Sequence, residues 1–225
     1  MSPELSVVIP VLNERDNVLD LWDSLKAALK PLDGDWECVW VDDGSSDGTW
    51  ELLSGLADAE PECRAVSLAR NFGQTAALSA GIAAARGEYI AALDGDLQND
   101  PADIPAMLAA ARDGADVVSG WRRDRRDPFL SRVLPSRAAN WLISAVTGVR
   151  LRDYGCTLKV YRASFLKELE LYGEMHRFLP ALAGYRGASI KEVPVSHRPR
   201  TRGNSKYGLW RIFKVTLDLL TVKFM

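Results

Sequence analysis

The sequence predicts an α/β fold built on a doubly wound, mostly parallel sheet. Two observations carry this. Across the first 120 positions, short apolar runs of strand length alternate with helical patterns of about 10–15 residues, the signature of strand–helix–strand units. Four of the predicted strands also end in polar residues, on the rim where sheets of this kind bind ligands.

The elements follow in order. Leu5–Val11 is a short run rich in β-branched residues, which suit a pleated surface. From Asn13-Glu14 a helical pattern runs through Val18, Leu21, Trp22, Leu25 and Leu29. Trp36–Val41 reads as the second strand and stops at Asp42-Asp43-Gly44. Asp47 is placed to cap a helix carrying Trp50, Leu53 and Leu56. Ala65–Leu68 is the third strand, Gly73–Arg86 an Ala-rich helix, and Glu88–Leu93 the fourth strand, running into Asp94. Pro101 suits the first position of a helix ending near Arg112, because its missing N–H would have no partner there anyway. Ala115–Ser119 is a fifth strand.

The second half is less regular. An Arg-rich loop, Arg122–Pro128, leads to a helix through Leu134, Ala138, Trp141, Leu142 and Val146. Asp153–Tyr161 ends as a strand, a helix lies near Phe178–Tyr185, and Ser189–Val195 is a further strand. The loop His197–Ser205 precedes a last helix from about Tyr207. No repeat or low-complexity linker separates the halves, so residues 1–225 read as one continuous domain.

With 47% hydrophobic and 26% charged residues the composition is that of a globular protein, excluding a disordered or fibrous chain. Cys38, Cys63 and Cys156 are far apart and form no CxxC pair, which points to buried thiols in a reducing compartment. No basic segment precedes the first strand, so no secretory signal is predicted. No window of about 18 uninterrupted apolar residues predicts a transmembrane helix, and the expectation is a chain that is soluble or sits on a surface.

Charge is strongly segregated. Residues 1–121 hold 22 acids against 7 bases, and residues 122–225 hold 21 bases against 8 acids. An acidic half suits a divalent cation, and a basic half suits phosphates or anionic lipid. From Arg122 to Arg152 there are eight arginines against two acids, and from His197 to Leu217 six bases and no acid. Arginine forks match phosphate oxygens. These stretches lack the interleaved aromatics of a single-strand platform and carry no reader motif, so nucleic acid is not the expected partner.

The strongest local signal is Asp94-Gly95-Asp96-Leu97-Gln98 at a strand end. Two carboxylates two residues apart, with a glycine between, can converge on one hard cation such as Mg2+ or Mn2+. The second is Val41-Asp42-Asp43-Gly44-Ser45-Ser46-Asp47-Gly48-Thr49, whose carboxylates could bond a ribose or base. A GxGxxG after the first strand is absent, which counts against a dinucleotide oxidoreductase. His176 and His197 share no metal-ligand spacing and read as structural or surface residues.

These motifs occur in order with Val8-Ile-Pro-Val-Leu-Asn-Glu14 and Arg70-Asn-Phe-Gly73, and together they resemble the family 2 glycosyltransferases of GT-A fold. Val118-Ser-Gly-Trp-Arg122, Pro135-Ser-Arg137, Asp153-Tyr-Gly-Cys156 and Arg200-Thr-Arg-Gly-Asn-Ser-Lys206 narrow the likeness. They are similar to the polyprenyl-phosphate branch, the dolichyl-phosphate mannose synthases and their bacterial undecaprenyl-phosphate relatives. No Gln-x-x-Arg-Trp occurs, unlike the processive polysaccharide synthases of the same superfamily.

The resemblance implies inverting transfer of a sugar from a GDP- or UDP-linked donor to a polyprenyl phosphate at the cytoplasmic face of a membrane. It implies that Pro10, Leu12, Glu14, Asp42, Asn71 and Asp94 line the nucleotide-sugar site. Asp96 and Gln98 would hold Mg2+ or Mn2+, and Arg122, Arg137, Arg200, Ser205 and Lys206 the acceptor phosphate. The catalytic set would be Asp94, Asp96, Arg122 and Arg137. Residues 1–121 then form the donor and metal half, 122–205 the acceptor half, and 206–225 a juxtamembrane amphipathic helix. On that helix Arg211, Lys214, Asp218 and Thr221 share a narrow face, while Trp210, Ile212, Phe213 and Leu217 spread over the rest. In this branch transmembrane helices often follow at this point, which implies a longer full-length protein. A homo-oligomer is compatible with the reading. Leu12 stands where members often carry Tyr, and Asp153-Tyr-Gly-Cys-Thr replaces a more usual Gly-Phe version.

Overall fold

The computed structural model describes residues 2–32, 35–123, 140 and 143–198. Strands β1 (Leu5–Val11), β2 (Trp36–Asp42), β3 (Cys63–Ser67), β4 (Tyr89–Ala92), β5 (Val117–Arg122), β6 (Lys159–Arg162) and β7 (Ile190–Val195) form one sheet. Its order is β3-β2-β1-β4-β6-β5-β7. Strands β1 to β4 are mutually parallel, and β5 runs parallel to β7. Only β6 is antiparallel to its neighbours β4 and β5. The sheet is therefore mostly parallel, with a late strand inserted between the fourth and fifth. That insertion joins residues 159–162 to β4 through hydrogen bonds.

Helices cover both faces, as the doubly wound reading requires. On one side α1 (Arg15–Leu29), α2 (Thr49–Ala59) and α4 (Ile104–Arg112) pack onto the sheet. Their core includes Leu21, Trp22, Leu25, Leu53 and Met107, set against Val7, Ile9 and Trp40. On the other side lie α3 (Gln74–Ala84), α6 (Ala163–Leu166) and α7 (Leu179–Tyr185). There Leu78, Ile82, Leu166 and Leu179 meet Val8, Val39, Val41 and Tyr161. The alternation of Val7, Val8 and Ile9 between these cores follows from the two-residue period of a strand. A third core joins residues 143–147, helical and here called α5, to the 3-10 turn Met175–Phe178 and α7 through Ile143, Tyr154, Phe178 and Leu182.

Element ends follow local chemistry. Asp47 stands one residue before the helix cap Gly48, yet its carboxylate accepts from the Thr49 N–H at 3.0 Å and from the Thr49 hydroxyl at 2.5 Å. Burial favours the neutral acid, but these bonds hold Asp47 below the ordinary carboxylate range. Asp100 accepts from Ala102 N–H and opens a 3-10 turn, Pro101–Asp103, before α4 begins.

Two features lie away from the carboxyl ends of the strands. Cys38 and Cys63 face each other in the β2–β3 register and, with Cys156, are free and buried. Burial pushes the Cys63 thiol up to about 12 and that of Cys156 to about 11, so none is poised as a thiolate. Near the start of β2, the buried Glu37 accepts from Ser6 Oγ at 2.7 Å and pairs with Arg86 at 2.7 Å and Arg64 at 3.2 Å.

Candidate active site

Pairing decides where the cavity opens. β1 stays beside β2 as far as Val11↔Asp42, but pairs with β4 only as far as Val8↔Ala92. Beyond that point β4 departs through Leu93 into Asp94. Pro10 can therefore sit inside β1, since its missing N–H falls where the β4 side of the ladder has ended. A cavity of about 260 Å³ occupies the opening. Pro10 and Val11 line it from β1, Leu12 and Glu14 from the turn that follows, Asn71, Gly73, Gln74 and Ala77 from α3 and its approach, and Asp94, Gly95 and Asp96 from the segment after β4. Asp43 and Glu174 complete the lining.

The loops around the cavity are laced together. Asn13, in the left-handed region at φ 54°, accepts on Oδ1 from Ser46 N–H at 2.8 Å and donates its own N–H to Ser45 Oγ at 2.8 Å. Glu14 N–H donates to Thr49 Oγ1 at 3.1 Å, and the Asn17 amide donates to the Glu14 carboxylate at 2.6 Å. Asp42 is buried, and both its oxygens accept from Ser45 N–H, at 3.3 and 3.2 Å. It braces the turn and is not among the lining residues; Asp43 is. The Asp43 carboxylate accepts from the N–H groups of Phe72 and Gly73, at 2.7 and 2.9 Å, and so docks the α3 approach against the β2 loop. That docking needs Gly44: at φ +75° a Cβ there would lie 2.6 Å from the Arg70 carbonyl carbon.

The Asp94–Gln98 segment is held against β1. A Cβ at Gly95 would lie 2.7 Å from Val11 Cγ1, so only glycine lets the two carboxylates approach the cavity floor. Leu97 takes φ 61°, a costly conformation for a bulky side chain. It turns the chain so that Gln98 N–H donates back to Asp96 Oδ1 at 3.1 Å. Gln74 Nε2 donates to Asp94 Oδ1 at 2.7 Å. Burial, then the Asp96 charge, push Asp94 up to about 6 despite opposing help from Thr157, Lys159 and Arg177.

The second half contributes an ion pair at the end of β5. Arg122, at the end of β5, donates from Nε to Asp153 Oδ2 at 2.7 Å and from Nη2 to Oδ1 at 2.9 Å. Lys159 is buried, and its ammonium donates to the carbonyls of Tyr154 and Cys156, pinning the loop that carries Asp153. Desolvation lowers its pKa. Thr75 Oγ1 donates to the Gly173 carbonyl at 2.7 Å and meets His176 Nδ1 at 2.7 Å. With its one proton on Gly173, Thr75 accepts from the ring, so Nδ1 carries a proton. His176 is thus a buried structural residue that ties Glu174 to α3.

Pro10, Leu12, Glu14, Asn71, Asp94 and Asp96 of the expected set come together around the cavity. Asp42, Gln98 and Arg122 lie outside its lining. Arg137, Arg200, Ser205, Lys206 and the helix expected over 206–225 lie outside the described residues. Three polar lining residues, Asp43, Gln74 and Glu174, are missing from the set the sequence assigned to the site. Asp43 stood beside Asp42 with nothing to separate their roles, Gln74 looked like a helix start, and Glu174 sits 80 positions after Asp94 on a chain with no local motif.

Five carboxylates line the cavity, Glu14, Asp43, Asp94, Asp96 and Glu174, and no Lys or Arg does among the described residues. An anionic ligand there requires a cation. Oxygen donors and the elevated Asp94 pKa fit a hard divalent ion such as Mg2+ or Mn2+. Among the described residues no group of three or more His, Cys, Asp or Glu is arranged to hold a metal, so such an ion would draw its remaining ligands from substrate phosphate and water.

Comparison with known proteins gives the family. The family model for glycosyl transferase family 2 matches residues 6–193. The chain is 50% identical to dodecaprenyl-phosphate galacturonate synthase of Rhizobium johnstonii, over 99% of its own length and 67% of the relative's. It is 42% identical to undecaprenyl-phosphate 4-deoxy-4-formamido-L-arabinose transferase of Edwardsiella ictaluri, over 96% of its length and 67% of the relative's. In structure it is similar to glucosyl-3-phosphoglycerate synthase of Mycobacterium tuberculosis solved with UDP, with TM-score 0.72, 22% identity and coverage of 99% of this chain and 81% of that one. A mannosyltransferase of Pyrobaculum calidifontis, solved with GDP-mannose and Mn2+, gives TM-score 0.68 at 20% identity over 100% of this chain and 64% of that one. Those two likenesses speak to the fold, which is of GT-A type. With a family match across most of the chain, relatives at 50% and 42% identity and a cavity at the carboxyl ends of a GT-A sheet, the chain belongs to the family 2 glycosyltransferases.

Proposed function

We propose that this chain moves a sugar from a nucleotide-sugar to the phosphate of a polyprenyl phosphate, with inversion, at the cytoplasmic face of a membrane. The observation that carries the reading is the carboxylate-lined cavity between the diverging ends of β1 and β4, a place for a nucleotide diphosphate only together with a cation. The names of the two relatives, both sugar transferases to a polyprenyl phosphate, support the acceptor. The relative at 50% identity supports an acidic sugar, with UDP-galacturonate as the first donor to test.

In this reading Glu14, Asp43 and Asn71 bind the nucleoside, and Asp94 and Asp96 would hold Mg2+ or Mn2+. When bound, that ion neutralises charge on the departing nucleotide diphosphate. A phosphate oxygen of the acceptor bonds to the anomeric carbon as the bond to the nucleotide diphosphate breaks. That oxygen is already anionic at neutral pH, so positioning matters more than a general base. Arg122, oriented by Asp153, would hold the acceptor phosphate together with Arg137, Arg200 and Lys206. Gln98 would supply a further oxygen ligand to that ion, and Ser205 a further contact to the acceptor phosphate. Basic segments at 122–152 and 197–217 suit an anionic lipid surface. No helix among the described residues is long and apolar enough to cross a membrane.

The test is transfer of radiolabelled sugar to undecaprenyl phosphate in detergent, across GDP- and UDP-sugars, with Mn2+, with EDTA and with Asp96→Ala. Label in the lipid phase that needs Mn2+ and Asp96 supports the reading. Release of nucleotide diphosphate to hydroxyl acceptors, with no labelled lipid, overturns the acceptor assignment.

A further inference from the structure

Gln74 lines the donor cavity but has no part in the reading above. It is the first residue of α3, directly after Gly73 at φ 97°. The chain is anchored on both sides of it. Ahead of it, the N–H groups of Phe72 and Gly73 donate to Asp43 at 2.7 and 2.9 Å. Behind it, the buried Thr75 donates to the Gly173 carbonyl at 2.7 Å and meets His176 Nδ1 at 2.7 Å. One anchor comes from the β2 loop and the other from the second half of the chain, so the Gln74 backbone is fixed from two directions.

The half-buried side chain then reaches Asp94, where Nε2 donates to Oδ1 at 2.7 Å. An ionised carboxylate only accepts, so the amide must present its NH2 and not its oxygen to Asp94. The backbone beside Asp94 is set separately, because Gly95 packs on Val11 so closely that a Cβ there would lie 2.7 Å from Cγ1. The type of donor matters. An amide is neutral, so it orients a carboxylate without cancelling its charge. A Lys or Arg in that place would pair with Asp94 and compete with a divalent cation for the same charge. An aliphatic side chain would leave the carboxylate to choose its own rotamer.

We propose that Gln74 is a positioning residue for sugar transfer. Its amide holds the Asp94 carboxylate in one orientation and leaves the charge of that group intact for the cation. The inference rests on the reading of the cavity as the donor site. Its effect falls on the reacting geometry, where a displacement of about 1 Å can cost on the order of a hundredfold in rate.

The experiment compares Gln74→Met, Gln74→Glu and Gln74→His with the wild type at pH 8. Steady-state transfer from UDP-galacturonate, or whichever donor the panel selects, is measured beside Mn2+ binding to the protein with UDP, read by electron paramagnetic resonance. Methionine keeps the length and loses the donated hydrogen, so kcat should fall by about tenfold or more and Mn2+ affinity by about threefold or more. Glutamate keeps the shape, has no hydrogen to donate at pH 8 and should lower kcat in the same sense, which keeps the test available where Gln74→Met does not fold. Histidine presents an Nε2–H at similar reach and should restore kcat to within about threefold of wild type. A methionine variant with wild-type kcat overturns the inference, as does a loss of kcat with unchanged Mn2+ affinity. A histidine variant no better than methionine also overturns it, since the loss would then follow shape and not the hydrogen bond. A wild type that binds neither UDP nor Mn2+ overturns the donor-site reading itself. Normal wild-type binding with unimpaired methionine and glutamate variants overturns the positioning role alone.

Discussion

Arg122 is forked onto Asp153, with Nε and Nη2 on separate carboxylate oxygens and the Arg122 N–H on Oδ2 at 3.3 Å as well. The side chains are 14% and 5% exposed, so the pair sits largely out of water. This bond fixes a cation at the end of β5 and gives Asp153 a task other than that of a base.

Breaking that pair from one side leaves an uncompensated buried charge. Asp153→Asn should lower unfolding free energy by about 3 kcal/mol and reduce sugar transfer. Arg122→Lys keeps the charge but cannot make the fork; it should lose more in transfer than in stability. Urea unfolding and steady-state rates on both variants check this, and an Asp153→Asn protein as stable as wild type would contradict it.

Asp94 is held at a cost to the fold. Its raised pKa means that ionisation is harder in the folded chain than in the unfolded one. Its contribution to stability is therefore complete below the ordinary carboxylate value of 3.8 and is lost as pH rises through about 6. With EDTA present at pH 8, Asp94→Asn should stabilise the protein by roughly 1–2 kcal/mol, a figure reduced for the group's partial exposure; with Mn2+ in place of EDTA the same variant should abolish transfer. Thermal unfolding at pH 8 and pH 5 tests the sign. The gain should shrink at the lower pH, and a destabilised variant at pH 8 would count against this electrostatic account.

Glu37 behaves in the opposite sense. Burial alone would raise its pKa, but Ser6 Oγ, the Arg86 N–H and the Arg86 guanidinium hold it below 4.5. The stability it contributes is present above 4.5 and disappears as pH falls through the lowered value. Glu37→Gln should cost about 2 kcal/mol at pH 7, discounted because Arg64 and Arg86 are partly exposed. Its urea midpoint should fall less steeply than that of wild type below pH 4.5.

Gly44 joins two loops of the donor site. Gly44→Ala must place a Cβ in the left-handed region and within 2.6 Å of the Arg70 backbone, which separates the β2 loop from the approach to α3. UDP affinity in Mn2+ should drop by about tenfold or more, a change of about 1.4 kcal/mol. Calorimetry on the variant decides it.

Much of the fold was legible because its signals are local. The apolar runs at Leu5–Val11, Trp36–Val41 and Glu88–Leu93 and the helix through Val18, Leu21 and Leu25 all recur as elements within a few residues. Asp94 and Asp96 were legible for the same reason, since a carboxylate pair with a glycine between stands out at the end of a strand. Asp42 and Asp43 were not separable, because which neighbour points into the cavity depends on strand register and on the turn to Ser45.

By itself the sequence determined the α/β class, the family, the charge segregation and the polar strand ends, since periodicity and short motifs lie within a few residues of one another. Tertiary structure alone decided the rest. It placed β6 antiparallel between β4 and β5, parted β4 from β1 after Val8 to open the cavity, and brought Glu174 to the cavity that Asp94 lines. It also set Arg122 on Asp153 and Gln74 on Asp94. These contacts join residues that are distant in sequence, and they form only when packing of both sheet faces outweighs the entropy of bringing the chain together.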